Sequence, residues 1–310
     1  MTFLQHPRTV HIFQNHPALL AAGLACVVAA LWAMIESIGG LIPARYSPYQ
    51  TVWMRYGVHL LFLILVWGPR RRGSLIRTPR WKAQILRGLL MVGMPILFIL
   101  AAFSMDVHFI WSIFWIAPLV SMIGAALLFK EKISPAQWTA ALLGMAGTLA
   151  ILRPSYSGGW TQALMTLGMS LCFIFYMLAT RLLVGEDTLT SLFFTAFAVF
   201  LPLSFVMPAL WRPLTLKAAA GMALIGLSGF GLLFALDRAL ELAPVALVAP
   251  FLYSEPIWYL LASKVLHPSP FHILDLAGLL LILIPGSVLF YLMSHHSKSA
   301  VVSLTGQFRT

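Results

Sequence analysis

Glu255 lies near the centre of an apolar run, Pro244 to Leu266, that reads PVALVAPFLYSEPIWYLLASKVL. About 20 such residues cross the hydrocarbon core of a bilayer, which places this carboxylate near mid-membrane. An ionisable side chain at that depth costs roughly 2.5–3.5 kcal/mol to insert, so it faces a partner or a cavity. Its chemistry there is proton exchange or capture of a cation, because desolvation disfavours a charged carboxylate while water or an amine favours it. On a continuous helix Phe251 and Tyr259 share its face at a spacing of four, and Trp258 joins them at three. That gives aromatic surface able to grip a ligand. The alternative is a buried helix-to-helix hydrogen bond that meets no ligand.

A second group lies in the run from Tyr49 to Trp67, where Arg55 and His59 are four apart and so on one helical face. Arg55 has two readings. It pairs with Glu36, at similar depth near the end of the first apolar run, or its planar fork takes a ligand carboxylate. His59 titrates near neutral pH when unperturbed, or serves only as a helix contact. Trp111, Trp115 and Pro118 share a face of a further run. Trp111 suits the interfacial aromatic belt, and Trp115 lies deeper, where it can line a cavity. Cys172, Tyr176 and Thr180 form another face, for which ordinary packing competes with ligand contact. A cavity lined by Trp115, Tyr176, Tyr253 and Trp258 would favour a ligand with a flat or apolar part beside an amino-acid-like head.

The elements that must position these residues are membrane helices. Hydrophobic residues make up 60% of the chain and charged ones 9%, far from soluble averages. Ten apolar windows emerge: Ala18–Leu41, Tyr49–Trp67, Trp81–Phe103, Val107–Phe129, Pro135–Leu152, Trp160–Val184, Thr188–Leu210, Ala218–Leu240, Pro244–Leu266 and Phe271–Met293. A leader (1–17) precedes them and a tail (295–310) follows; with no clear cleavage site, the first window reads as a retained helix. The net charge of +11 reflects basic loops, not nucleic-acid binding. With both termini cytoplasmic, 14 Lys/Arg fall on that side and 5 outside, Arg55 being within a helix. Arg70, Arg71, Arg72, Arg77, Arg80 and Lys82 supply much of the bias. Crowded glycines at Gly221, Gly226, Gly229 and Gly231 allow close helix approach or hinging.

Adding 138 to the numbering lays the first half on the second, with Pro118 on Pro256, Leu128 on Leu266 and Trp115 against Tyr253. The repeats expected are 18–153 and 154–294. Five helices is an odd number, so the second copy must insert upside down. The expected fold is therefore an all-α polytopic membrane protein, ten transmembrane helices as two inverted five-helix repeats, whose interface holds ligand near the midplane in many carriers. No H-E-x-x-H, G-x-S-x-G or Walker loop occurs, and the adjacent histidines His295 and His296 lie on the tail. Cys26 and Cys172 sit in apolar runs without metal-ligand spacing. No metal, cofactor or catalytic residue is expected.

The two five-helix halves, the MRYG segment around Arg55, and APLVSMIGAALLFKEKIS from Ala117 to Ser134 resemble the drug/metabolite transporter superfamily, EamA type, over essentially the whole chain. Arg87-Gly88-Leu89, Glu131 and Leu152-Arg153-Pro154 resemble its branch of amino-acid, S-adenosylmethionine and metallophore transporters. The resemblance implies a secondary carrier of a bacterial inner membrane, commonly an exporter of amino acids or related metabolites, with uptake of an S-adenosylmethionine-like compound as the alternative. Expected partners are a small-molecule metabolite, the lipid bilayer and protons; a homodimer is allowed. A membrane-embedded lipid enzyme and a non-transporting scaffold stand against it. The first would gather polar residues at one interface, and the second has no need of Glu255.

Overall fold

A computed structural model describes residues 17–307 other than Arg72, Ser157, His267 and Ser269, with side chains described as far as His295. The expected leader lies outside these residues apart from Pro17, as do Arg72 of the basic loop and the side chain of His296. The described residues form twelve α-helical segments and no strand: α1 (Pro17–Gly40), α2 (Pro48–Arg71), α3 (Trp81–Ala102), α4 (Val107–Phe114), α5 (Ala117–Phe129), α6 (Pro135–Leu152), α7 (Trp160–Leu182), α8 (Thr188–Leu210), α9 (Leu216–Leu242), α10 (Val245–Leu252), α11 (Glu255–Leu266) and α12 (Ile273–Gln307). Taken with α4 and α5 as one span and α10 and α11 as another, ten are long and apolar enough to cross a membrane. α12 extends past its span, so the backbone of the expected tail begins as helix.

Local chemistry explains the boundaries. Proline opens α1, α2 and α6, where its missing N–H costs nothing. Ser134 and Gln137 make a reciprocal capping box at α6, and the Asp187 carboxylate accepts from Thr190 N at α8. The fourth and ninth spans break instead of running through. α4 ends at Phe114 and α10 at Leu252, each four residues before a proline, Pro118 and Pro256. A proline ring clashes with the carbonyl four residues back and leaves it without its donor, which is where both helices stop. The segments correspond at the same offset of 138, since Val107–Phe114 maps onto Val245–Leu252 and Ala117 onto Glu255.

Packing follows the same two-fold pattern. α1 lies on α9 as α7 lies on α3, and α2 meets α9 as α8 meets α3. α1 also contacts α10 and α11, as α7 contacts α4 and α5. α2 with α8, and α6 with α12, pair across the pseudo-axis. The inverted five-helix repeat is thus visible in which helix touches which. Outward faces carry Leu61, Leu65, Leu127, Leu142, Phe205 and Ile284 exposed, as a lipid-facing surface requires. Close approaches occur where glycine removes the side chain. A Cβ on Gly147 of α6 would lie 2.7 Å from the Gly278 carbonyl of α12. In the Gly-rich α9, a Cβ on Gly226 would lie 2.8 Å from the Arg55 carbonyl of α2, so this helix uses its glycines for close approach.

Candidate functional site

The break between α10 and α11 shapes the surroundings of Glu255. It makes Glu255 the first residue of α11, 2% exposed, with its Oε1 enclosed and without a hydrogen-bond partner. Two effects oppose each other there: burial disfavours the charged carboxylate, whereas the positive end of the helix dipole favours it. The break also ends the continuous helical face expected to run from Phe251 to Glu255. Trp258 is 45% exposed and lines an outward groove of ≈ 480 Å³ with Ala33, Ser37 and Leu41 of α1, away from the interior. Tyr259 is half-buried and interacts electrostatically with both Glu255 and Glu36.

Glu36 does not pair with Arg55. Its electrostatic neighbour is Glu255, and its Oε1 is enclosed without a partner among the described residues. Arg55 makes no ion pair among the described residues. Its guanidinium lies 5.3 Å from the Tyr56 ring centroid, and its enclosed Nε packs where a Cβ on Gly229 would be 2.7 Å away. His59, 1% exposed, sits edge-on to Phe230 at 5.1 Å with Nε2 unpartnered. Arg55 and His59 interact with each other. Buried polar atoms are normally satisfied, so these orphans on α1, α2 and α11 mark where water or a ligand group belongs.

Trp115 and Tyr253 meet across the pseudo-axis at the two breaks. The Tyr253 hydroxyl donates to the Trp115 carbonyl at 2.8 Å, and their ring centroids are 6.1 Å apart. Trp32 packs on Trp111, Phe114, Trp115 and Phe173 with centroids 5.3–6.2 Å apart, so Trp111 belongs to a buried aromatic cluster and not to an interfacial belt. Tyr176 lies elsewhere, so the four aromatics expected to line one cavity do not come together.

The hydroxyl of Tyr176 is taken by a buried network. Arg87 of α3 donates to Tyr176, to Thr180 at 2.9 Å, and to both carboxylate oxygens of Asp237 of α9 at 2.6 Å. The guanidinium sits 4.5 Å over the Tyr176 ring. A buried charge requires such pairing. The sequence reading missed Asp237, although an acid in the last turns of an apolar run was the signal. It missed Trp32 as well, which nothing but packing sets apart from other tryptophans. Nearby, Glu131 accepts from Val245 N and Ala246 N at the start of α10 and pairs with Arg181 at 3.4 Å. Gln84 donates to Ser191, Arg80 pairs with Glu186 and Arg71 with Asp187. The two halves are tied at this end by charge.

Residues 19–153 match the model of the EamA-like transporter family. A protein of Vibrio cholerae named riboflavin transporter is 23% identical over 179 residues, covering 57% of this chain and 59% of the relative. The chain thus spans less than two thirds of that relative's length. A solved crystal structure that is 20% identical superposes with a TM-score of 0.74, covering 90% of this chain and 98% of that one. Its likeness concerns the fold and extends over both halves. Residues 19–153 are accordingly an EamA-like domain of the drug/metabolite transporter superfamily, set in a multi-pass, ten-helix membrane protein.

Proposed function

We propose that the chain is a secondary active transporter of a bacterial inner membrane, with both termini cytoplasmic, that exports a small metabolite in exchange for protons. The observation that carries this reading is the pair of broken spans meeting at the pseudo-axis, with Glu255 buried at the start of a half-helix and its Oε1 without a partner among the described residues. Discontinuous helices at a repeat interface are how many carriers present helix ends to substrate at the midplane. Glu255 is the coupling residue, because proton and substrate cation compete for one carboxylate. Arg55, with a guanidinium free of any ion pair among the described residues, takes a substrate carboxylate, and His59 lies beside it. Trp115, Tyr253 and Tyr259 shape the same region. Tyr176 acts by holding the Arg87–Asp237 pair, and Trp258 faces outward.

The substrate class is an amino acid or amino-acid-derived compound with a flat part. Riboflavin joins the compounds to be tested because the Vibrio cholerae relative is named for it. Purified protein in proteoliposomes, offered radiolabelled amino acids, S-adenosylmethionine and riboflavin with and without a pH gradient, tests the proposal. At least one compound should cross in a protein-dependent, gradient-sensitive manner. Movement of none of them under either condition would contradict it.

A further inference from the structure

We infer that Glu36 and Glu255 form a single two-carboxylate site that takes the ammonium group of an organic amine. This deepens the transport reading by naming the charge its substrate carries. Among the described residues at least six of the acids are ion-paired with Lys or Arg, and Glu36 and Glu255 show no such pair there. The two lie on α1 and α11, which pack together, and they interact with each other. Each has an enclosed oxygen with no hydrogen-bond donor among the described residues, and the residue Glu255 is itself 98% buried.

Two interacting carboxylates, each with an enclosed oxygen, resist being charged together unless a cation joins them. No Lys or Arg among the described residues forms an ion pair with either. The cation must therefore come from outside, as a proton when the site is empty of substrate and as an ammonium when it is not. The enclosed Oε1 of Glu36 is the atom left for the incomer. The groups facing the pair are Trp32, Tyr259 and, through Tyr259, Asp106 at the head of α4, with His108 edge-on to Tyr259 at 6.3 Å. The donor set is poor for calcium. Calcium takes six to eight oxygens, and no group of three or more His, Cys, Asp or Glu comes together among the described residues. An ammonium needs only a few acceptors, and aromatic faces add to its binding.

The test is calorimetric titration of the purified full-length protein in detergent with phenethylamine and with phenethyl alcohol, which differ mainly in the charge. The amine should bind at least tenfold more tightly. That preference should vanish in Glu36→Gln and equally in Glu255→Gln, because the two act as one site. Equal affinity of the wild type for amine and alcohol would overturn the inference, and needs no variant to fold. Retention of the full preference in folded Glu36→Gln would overturn the pairing. The transport reading fails separately: amine selectivity without movement across liposomes defeats transport alone, and gradient-driven transport without amine selectivity defeats the two-carboxylate site alone.

Discussion

At the scale of single residues, buried charge divides into two kinds. Arg87 and Asp237 pair directly, with Tyr176 and Thr180 accepting further guanidinium hydrogen bonds. Removing one partner of such a pair strands the other in a low-dielectric interior, at a cost of about 3–5 kcal/mol, whereas replacing both with apolar groups is often neutral. Arg87→Met should therefore lower the thermal unfolding temperature in detergent sharply, and Arg87→Met with Asp237→Leu should recover most of the loss. Single variants as stable as wild type would contradict the geometry. Arg55 is of the other kind, a cation without an ion-pair partner among the described residues. Arg55→Lys removes the fork but keeps the charge, so the apparent affinity for transported carboxylates should fall about tenfold or more in proteoliposome uptake assays. An unchanged affinity for every carboxylate would exclude the role.

At the scale of elements, the structure depends on two broken spans and a few close helix contacts. Gly147 meets the Gly278 carbonyl backbone to backbone, where no flexible side chain can yield. Gly147→Ala should cost about 1–3 kcal/mol of stability by overpacking. Gly286→Ala, with nothing within 4 Å of its Cβ, should cost less than about 0.5 kcal/mol in the same thermal assay. The ten spans were legible because each is an apolar run of membrane length bounded by Pro, Gly or charge. The matched Pro118 and Pro256 also exposed the repeat. The breaks were not legible: Pro95, Pro202 and Pro285 sit inside unbroken helices, so a proline alone does not tell a break from a tolerated insertion. That is why Phe251 was expected on the face of Glu255. Whether Glu36 pairs with Arg55 stayed open for a related reason, because sequence gives depth along each helix but not which helices touch.

At the scale of the whole molecule, the two halves enclose orphaned polar atoms and are joined by ion pairs at the end bearing the basic loop. Loop charge predicts that this end is cytoplasmic. A cysteine at the exposed Ser74 should stay unlabelled by an impermeant thiol reagent added to intact cells and react once the membrane is opened. Labelling from outside would reverse the topology. The alternating use of one site by proton and substrate is the central claim, and Glu255→Gln tests it most directly, since the amide keeps the shape but cannot titrate. In proteoliposomes with an imposed pH gradient, wild type should concentrate the transported compound against its own gradient. Glu255→Gln should lose that accumulation while retaining much of the substrate exchange. A Glu255→Gln protein that still concentrates substrate with undiminished pH dependence would contradict the account and move the proton elsewhere, with His59 the next residue to examine.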